Sequence, residues 1–343
     1  VVFGVTKALT NYLTGSLANR LGRKKLLSIG WLFALPVPLL LIYAPNWSWV
    51  IFANVLLGIN QGLTWSSTVV MKIDLVGPQN RGLAMGINES VGYLAVGLVA
   101  FLSAWLAAEY GIRPVPFYLG LGFAVIGLLA SVFLVKDTRG HVASETRDSK
   151  VPRLQHVFRD TTFRHPKLSS ITQPGLVNNL NDGMIWGLFP MLLAAKGFTL
   201  EETGKLVAIY PLVWGLGQLI TGKMADHYAK KYLLFFGMLL QGLVIVALVF
   251  AQSFTAYSML GILLGVGTAV VYPTFLAAIA DDTHPRDRAA SIGVFRLWRD
   301  LGYAIGALLT GMLADLWSSE TAVLAIGLIT LFSSGIIALR MRK

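Results

Sequence analysis

Apolar stretches recur along the whole chain, separated by short polar segments. Each stretch is about 20 residues long, enough to cross a hydrocarbon core of roughly 30 Å as a helix. The runs are continuous, which excludes the alternating pattern of a membrane β-barrel and leaves helices as the way to satisfy backbone groups in lipid. The pattern predicts an all-α membrane protein with eleven spanning helices, over residues 1–18, 26–44, 49–74, 82–108, 116–136, 169–195, 200–222, 231–252, 254–281, 288–314 and 320–339.

Composition supports this prediction and narrows the chemistry. The chain is 55% hydrophobic and 13% charged, whereas a soluble domain carries about 25% charged residues. It contains no cysteine, which excludes disulfides and thiolate metal sites. The five histidines are scattered and no nucleophile–base arrangement stands out, so we predict no metal, no cofactor and no enzymatic activity.

The net charge of +11 could indicate a nucleic-acid partner, but its distribution indicates membrane topology. Basic residues concentrate in alternate loops, as the positive-inside rule requires of cytoplasmic loops. We therefore predict a multi-pass protein of the cell (inner) membrane with no nucleic-acid partner. The basic loops and the C-terminus are expected in the cytoplasm, and they carry Arg20, Arg23, Lys24, Lys25, Lys223, Lys230, Lys231, Arg286, Arg288, Arg340, Arg342 and Lys343.

An internal repeat relates the two halves of the chain. The same offset of 207 residues pairs many glycine, proline and charged positions. A gapless offset over such positions is hard to attribute to composition. The pairs include Gly15 with Gly222, Gly30 with Gly237, Gly58 with Gly265, Asp74 with Asp281, Arg81 with Arg288, Gly86 with Gly293, and Lys136 with Lys343.

The repeat predicts the domain organisation. We expect an N-terminal bundle over 1–136, a polar cytoplasmic linker over 137–168 and a C-terminal bundle over 169–343. The helix at 169–195 has its counterpart before residue 1. The repeat thus predicts a twelve-helix protein of which eleven helices are present, and we expect the chain to be inactive without the twelfth.

A loop motif supplies a family resemblance. Residues 15–25 read Gly-Ser-Leu-Ala-Asn-Arg-Leu-Gly-Arg-Lys-Lys, with a partial echo at 222–227. This motif resembles the loop signature of the major facilitator superfamily, although Asn19 replaces the usual aspartate that Asp226 keeps. The resemblance implies two pseudo-symmetric helical bundles and a secondary transporter that works by alternating access.

Two further blocks, 78–82 and 285–289, also fit the family. Each follows an aspartate at a helix end, and the resemblance implies that Arg23 pairs with Asp74 and Lys230 with Asp281. Such pairs can hold one conformation closed and open in the other. The alternative is that these charges only anchor the topology. Our predicted gating residues are Arg23, Asp74, Asp226, Lys230, Asp281 and Lys7.

Charged residues inside the predicted helices are candidate sites, because each costs roughly 2.5–3.5 kcal/mol unless it is paired or hydrated. They are Lys7, Glu89, Asp182, Arg296, Arg299 and Asp300. We predict proton coupling by Asp182, Asp300 and Glu89, with Asp182 as the leading candidate. The alternatives are mutual pairing of Glu89 and Arg296, and a structural role for Asp182 beside Asn178.

A contact between Lys7 and Asp300 is expected in one conformation, because the resemblance places their helices together. The competing interpretation is that Asp300 neutralises Arg296 one turn away on its own helix. Lys7 would then be able to snorkel or to bind an anion.

Polar and aromatic side chains on four of the predicted helices are candidates for the solute site. Asn54, Gln61 and Thr68 follow one another at seven-residue spacing, which places them on one stripe. Such a stripe can also hold helices together by hydrogen bonds. The resemblance implies that the helices over 49–74, 169–195 and 254–281 line a cavity, so we predict substrate contacts from Asn54, Gln61, Trp65, Asn178, Trp186 and Tyr272. We add Arg299, which the helical rise from Arg288 places near the bilayer midplane.

These observations predict a secondary active transporter that moves a small organic solute and is coupled to protons. Its partners would be the solute, protons and the lipid bilayer. One alternative is an organic-anion permease that uses the intramembrane arginines Arg296 and Arg299. Another is a non-transporting membrane sensor or an intramembrane enzyme.

Overall fold

The computed structural model describes residues 2–341, and Arg342 and Lys343, predicted to be cytoplasmic, lie outside them. In the described residues the helices follow one another without a β-strand. They are α1 Val2–Leu21, α2 Arg23–Ala34, α3 Pro36–Ile42, α4 Trp47–Val76, α5 Arg81–Tyr110, α6 Val115–Phe133, α7 Arg139–Asp148, α8 Val157–Arg159, α9 Pro166–Gly187, α10 Phe189–Ala195, α11 Leu200–His227, α12 Lys230–Phe250, α13 Phe254–Asp281, α14 Pro285–Leu316 and α15 Ser319–Arg340, with a 3₁₀ turn at Pro78–Asn80 and a π turn at Asp160–Arg164.

Within the described residues a helix is present at each of the eleven predicted positions, and two of these helices are interrupted. The helix predicted over 26–44 divides into α2 and α3 at Leu35, directly before Pro36. The helix predicted over 169–195 divides into α9 and α10 at Leu188, with Pro190 in the first turn of α10. Proline has no N–H to continue the backbone hydrogen bonds at these two points. Leu35 and Leu188 nevertheless keep helical dihedral angles, and Pro174, Pro211 and Pro273 lie inside unbroken helices, so a proline alone does not determine where a helix divides.

Large apolar side chains cover much of the outer surface, as expected of a protein in lipid. Phe101 is 69% exposed, Ile126 64% and Phe332 71%, whereas a water-soluble protein avoids large contiguous apolar patches. Six helical segments are long and apolar enough to cross a membrane, and they are Arg23–Ile42, Pro78–Tyr110, Val115–Phe133, Lys230–Phe250, Phe254–Asp281 and Ser319–Arg340.

The chain forms two compact units. Unit 1 contains the chain up to Leu75, together with Gly92–Leu154 and Thr283–Leu297. Unit 2 contains Val76–Val91, Gln155–Asp282 and the chain from Trp298 onward. Both α5 and α14 therefore contribute residues to each unit. The division into bundles 1–136 and 169–343, with the linker 137–168 between them, follows the sequence repeat and stays a prediction.

Repeat-related glycines bring helices into close contact inside each unit. In unit 1, a Cβ atom on Gly15 would lie 2.8 Å from the Cα of Gly293, and in unit 2 a Cβ atom on Gly222 would lie 2.8 Å from the Cα of Gly86. A larger side chain at either position would separate the helices. The start of α14 in unit 1 and the start of α5 in unit 2 thus pack against equivalent helices of the repeat.

Candidate functional site

A buried charge network lies at the end of α4 in unit 1. Arg23 Nε is 3.2 Å from Asp74 Oδ2, which also accepts a hydrogen bond of 2.9 Å from the Thr138 hydroxyl. Arg288 Nη1 lies 3.6 Å from Asp74 Oδ1, and Arg288 makes a bidentate ion pair with Glu145 at 2.6 and 2.9 Å. The predicted pair of Arg23 with Asp74 is therefore present, within a larger network.

The equivalent network in unit 2 lies at the end of α13. Asp281 binds Lys230 Nζ at 2.7 Å, as predicted, and Arg81 Nη1 at 3.0 Å. Its side chain is 33% exposed, whereas that of Asp74 is 0% exposed. Both ion pairs expected from the resemblance thus form, and their role in gating stays a prediction.

The two positions of the loop motif make different contacts. Asp226 accepts hydrogen bonds from the backbone N–H groups of Gly82 and Leu83, at 2.6 and 2.8 Å, where α5 begins. Negative charge is favoured there because the first backbone N–H groups of a helix lack partners inside the helix. At the equivalent position, the Asn19 side chain donates to the Arg286 carbonyl at 2.5 Å.

A second polar cluster, in unit 2, surrounds the buried carboxylate of Asp182 on α9. The Tyr210 hydroxyl on α11 donates a short hydrogen bond to Asp182, and Thr268 Oγ1 on α13 lies 3.2 Å from the Tyr210 oxygen. Because the Tyr210 hydrogen is directed to Asp182, Thr268 donates to Tyr210. The positive charge of Arg299 on α14 also acts on Asp182.

The partner proposed for Asp182 from the sequence, Asn178, makes another bond. The side-chain amides of Asn178 and Asn181 donate to the side-chain oxygen of Gln241, at 3.0 and 3.1 Å. The Asn179 side chain donates to the Arg299 carbonyl at 2.9 Å. The polar residues of α9 thus form hydrogen bonds with α12, α14 and α11, and the bond to α11 is the one between Asp182 and Tyr210.

Arg299 also packs on an aromatic cluster, with its guanidinium 4.1 Å from the centre of the Tyr272 ring. Trp214 contacts Tyr272 edge to face at 6.1 Å and stacks on Tyr210 at 5.8 Å. Arg299 Nη1 lies 3.4 Å from Asp300 Oδ1. All of these side chains are buried.

A related cluster in unit 1 is built around Lys7 on α1. Its ammonium lies 5.7 Å from the centre of the Trp65 ring and 5.9 Å from that of Phe3. Tyr93 contacts Trp65 edge to face at 6.4 Å. Each of these four residues is half-buried. A cation over an aromatic face gains about 0.5–2 kcal/mol, which offsets part of the cost of a charge in lipid.

The other predicted residues are dispersed. Asn54 donates to the carbonyl of Val50 on its own helix, Gln61 is half-buried, and Trp186 is 45% exposed. Glu89 is fully buried and accepts a hydrogen bond of 2.8 Å from Asn88. Lys7 and Asp300 belong to different units, so their contact stays a prediction.

Sequence analysis missed several members of these clusters. Arg81 and Arg288 could have been found from the sequence, since they lie at equivalent positions of the motif blocks 78–82 and 285–289, but their pairing with the aspartates was not predicted. Tyr210, Trp214 and Gln241 lie among apolar residues, and nothing in their sequence context distinguishes them. Thr138 and Glu145 lie in the segment predicted as a linker.

Comparison with known proteins gives the family. The family model described as Major Facilitator Superfamily matches residues 1–171 and 175–343. The proton-coupled antiporter flippase LtaA of Staphylococcus saprophyticus is 26% identical over 326 residues, which cover 92% of this chain and 77% of that protein. The probable 4-methylmuconolactone transporter of Cupriavidus pinatubonensis is 26% identical over 235 residues, covering 66% of this chain and 53% of that protein.

Solved structures agree on the fold. The human organic anion transporter MFSD10 (TETRAN) has a TM-score of 0.79 at 18% identity, covering 98% of this chain and 82% of that chain. The E. coli fucose:proton symporter FucP has a TM-score of 0.73 at 12% identity, covering 100% of this chain and 90% of that chain. The predicted fold class is thereby confirmed, and the chain belongs to the major facilitator superfamily of membrane transporters.

Proposed function

We propose that this protein is a secondary active transporter that moves a small organic solute by alternating access, and that proton binding at Asp182 drives the movement. The observation that carries the proposal is the buried carboxylate of Asp182, bonded to Tyr210 and under the influence of Arg299. Side chains from four helices, α9, α11, α13 and α14, meet there.

Protonation of Asp182 would change the balance of conformations. The Tyr210 hydroxyl and the positive charge of Arg299 stabilise the ionised form of Asp182. The neutral carboxyl group is no longer attracted to Arg299. A buried charge without compensation is costly. A proton that binds one conformation more tightly than the other shifts the population by that difference in affinity.

The similar proteins support coupling to protons. LtaA is named a proton-coupled antiporter, and FucP a fucose:proton symporter. The solutes that the names of similar proteins print, fucose and 4-methylmuconolactone, differ, so the comparisons support proton coupling more than any particular solute. The protein would lie in the cell membrane with its basic loops in the cytoplasm.

Replacing Asp182 by asparagine tests the coupling role. In proteoliposomes carrying a panel of labelled solutes, Asp182→Asn should abolish accumulation driven by a proton gradient and spare solute exchange without a gradient. Asp315→Asn is the matched control, since Asp315 is an exposed aspartate of the same unit. Equal loss of both activities, or of neither, would contradict the coupling role.

The two charge networks would act as gates on the basic side of the membrane. Each joins a residue of the first repeat to one of the second, Asp74 to Arg288 in unit 1 and Arg81 to Asp281 in unit 2. Helix ends held in this way must separate if that side is to open.

Charge reversal tests the gating role. Asp74→Lys should impair transport, and adding Arg23→Glu should recover part of the loss. Arg20→Glu, a reversal at an exposed arginine of the same unit, is the control. A double variant no better than the two single changes added together would refute the functional pair.

A second candidate function is an organic-anion permease that uses the intramembrane arginines. The specific observation is the Arg299 guanidinium over the Tyr272 ring, together with the printed name of the similar human structure, an organic anion transporter. Under this hypothesis, Arg299→Gln abolishes anion uptake whether or not a proton gradient is present. Retained uptake in Arg299→Gln would refute it.

A further inference from the structure

A short segment of unit 2, directly before α9, carries the same pair of residues twice. Phe158 and Arg159 are followed five positions later by Phe163 and Arg164. All four side chains are exposed, and that of Phe163 is 63% exposed. We call residues 157–164 the Phe–Arg turn. Its outer face combines aromatic rings with positive charge.

The backbone of the Phe–Arg turn explains why both pairs face outward. The His165 N–H donates to the Asp160 carbonyl at 3.0 Å, and this bond between residues five positions apart belongs to a π turn. In an α-helix, side chains five positions apart point about 140° away from each other. A π turn brings them near the same side, and such turns are rare and frequently lie at functional sites.

The inner face of the Phe–Arg turn is fixed to α14 and α15. Thr161 is fully buried, and the Thr162 hydroxyl oxygen accepts a hydrogen bond of 3.0 Å from the indole N–H of Trp298. The Phe163 carbonyl accepts a hydrogen bond of 3.3 Å from the Arg340 guanidinium. The exposed rings and charges therefore stand on a segment that is held at several points.

The Phe–Arg turn lies at the level where a spanning helix ends. The segment Ser319–Arg340, which is long and apolar enough to cross the membrane, ends at the arginine that binds the Phe163 carbonyl. The preceding residue, Leu339, is 88% exposed. Exposed aromatic side chains are unfavourable in water. Together with basic side chains, they are favoured in the interface between lipid headgroups and acyl chains.

Positive charge predominates at this place. Arg159, Arg164 and Arg340 are all exposed. Asp160 is the one acidic residue of the sequence from 155 to 167, and it accepts a hydrogen bond of 2.9 Å from the backbone N–H of His156. Among the described residues, no acidic side chain lies within ion-pair distance of these three arginines. The patch is therefore complementary to an anion.

We propose that the Phe–Arg turn binds the headgroup of an anionic phospholipid. The lipid phosphate would accept hydrogen bonds from Arg159 and Arg164, whose planar guanidinium groups match a phosphate in geometry and charge. An acyl chain would pack against Phe163. Because the rings and the charges lie together at the end of a spanning helix, the ligand that fits is a lipid, and a soluble phosphate would leave Phe163 uncovered.

Native mass spectrometry of the purified protein in detergent tests this site. The protein is titrated with phosphatidylglycerol, which is anionic, and with phosphatidylcholine of the same acyl chains, which has no net charge. We expect phosphatidylglycerol to bind about tenfold more tightly. The double variant Arg159→Gln, Arg164→Gln should weaken phosphatidylglycerol binding by about 10- to 30-fold and leave phosphatidylcholine binding unchanged, because each basic residue near anionic lipid contributes severalfold to the affinity.

Two further variants separate charge and ring from the fold. The double variant Arg159→Lys, Arg164→Lys keeps both charges and should stay within about fivefold of the parent affinity for phosphatidylglycerol, although lysine lacks the planar fork. Phe163→Ser should weaken the binding of both lipids by about threefold or more, since an apolar contact is lost. Thermal unfolding of each variant without added lipid confirms that the protein is folded.

Matched controls remove the same chemistry from other exposed positions of the basic side. The double variant Arg147→Gln, Lys223→Gln removes two exposed cations. Tyr228→Ser removes an aromatic side chain that is 62% exposed, against 63% for Phe163. Neither control should change the affinity for phosphatidylglycerol by more than about twofold, because screening by salt limits the effect of distant charges.

Three results would overturn the site: equal affinity for the two lipids, unchanged phosphatidylglycerol affinity in Arg159→Gln, Arg164→Gln, or an equal loss in Arg147→Gln, Lys223→Gln. Displacement of phosphatidylglycerol by the same concentration of glycerol phosphate would show that the patch recognises a free phosphate, and would overturn the assignment to a lipid. Unchanged affinity in Phe163→Ser would refute the acyl-chain contact. None of these results bears on the proposed coupling through Asp182, which the solute transport assay tests separately.

Discussion

The charge networks around Asp74 and Asp281 are built from equivalent positions of the repeat but differ in how deeply the aspartate is buried. Each aspartate ends a helix and binds two cations from equivalent repeat positions, Arg23 and Arg288 in unit 1, and Lys230 and Arg81 in unit 2. The Asp74 side chain is 0% exposed and that of Asp281 is 33% exposed. The repeat thus determines which residues form ion pairs, whereas the neighbouring segments determine how far each aspartate is buried.

The difference arises from the segment that follows α6. Thr138 donates to Asp74, Glu145 pairs with Arg288, and Arg153 Nη2 lies 2.7 Å from Asp287 Oδ1. These contacts bind residues 138–153 to the network of unit 1. Removing one partner of an ion pair costs about 3–5 kcal/mol of stability when the pair is buried and about 0–1 kcal/mol when it is exposed. The two networks can therefore contribute differently to stability although their ion pairs are similar.

The largest expected effect is a loss of stability when the aspartate of either network is replaced by asparagine. Asp74→Asn removes the carboxylate that faces Arg23, which is 1% exposed, and leaves Arg288 with Glu145 as its acidic partner. It should lower the free energy of unfolding by about 3 kcal/mol. Asp281→Asn should cost less, about 1–2 kcal/mol, because the Asp281 side chain is 33% exposed although that of Arg81 is 3% exposed. Thermal unfolding in detergent, followed by circular dichroism, measures both. Equal shifts in the two variants would show that burial does not separate the networks.

A smaller effect is expected where residues 138–153 join the network. Glu145→Gln keeps the shape but removes a charge that is bonded to buried Arg288, and should cost about 1–2 kcal/mol. Glu145 and Asp74 both interact with Arg288. The losses of stability from Glu145→Gln and Asp74→Asn should therefore not add in the double variant. Glu109→Gln, at an exposed position of the same unit, is the control. Strict additivity would rule out a shared network.

The two positions of the loop motif should not be interchangeable. Asp226→Asn weakens the bonds to the first N–H groups of α5 and should cost about 1 kcal/mol. Asn19→Asp removes the donor to the Arg286 carbonyl and should also destabilise the protein, by about 1 kcal/mol. A gain in stability from Asn19→Asp would show that the aspartate of the family motif suits both units.

The smallest effect is the pH dependence of stability that His284 contributes in unit 1. Burial lowers the pKa of His284 below 6.5, and the charges of Arg153, Arg286 and Arg288 act in the same direction, while Asp287 opposes them. The folded protein then binds fewer protons than the unfolded chain just below pH 6.5. This contribution to stability is complete above that pH and is lost as the pH falls through the folded pKa.

His284→Gln should remove that pH dependence, and thermal unfolding at a series of pH values measures it. In the repeat, Gly77 stands where unit 1 has His284, so no equivalent titration is expected from that position in unit 2. An unchanged pH profile in His284→Gln would exclude His284 as its source.

The helical membrane fold and the family could both be predicted from the amino-acid sequence. Lipid offers no hydrogen bonds to the backbone, so apolar stretches long enough to span it must be helices. The divisions at Leu35 and Leu188 were not predicted, whereas the pairs of Arg23 with Asp74 and Lys230 with Asp281 followed from the resemblance of the loop motif to that of the family. The features that could be predicted depend on local spacing or on a motif, both of which can be read from the chain.

The contacts between side chains that are distant in the sequence could not be predicted and are known only from the folded structure. Asp182 is bonded to Tyr210 on another helix, although Asn178 stands one turn away on its own helix, because Asn178 is directed to Gln241. Lys7 reaches Trp65 because Gly58 lets α1 approach α4. Helical periodicity places a side chain on a face, but its partner depends on the neighbouring helix and on how closely the two backbones pack.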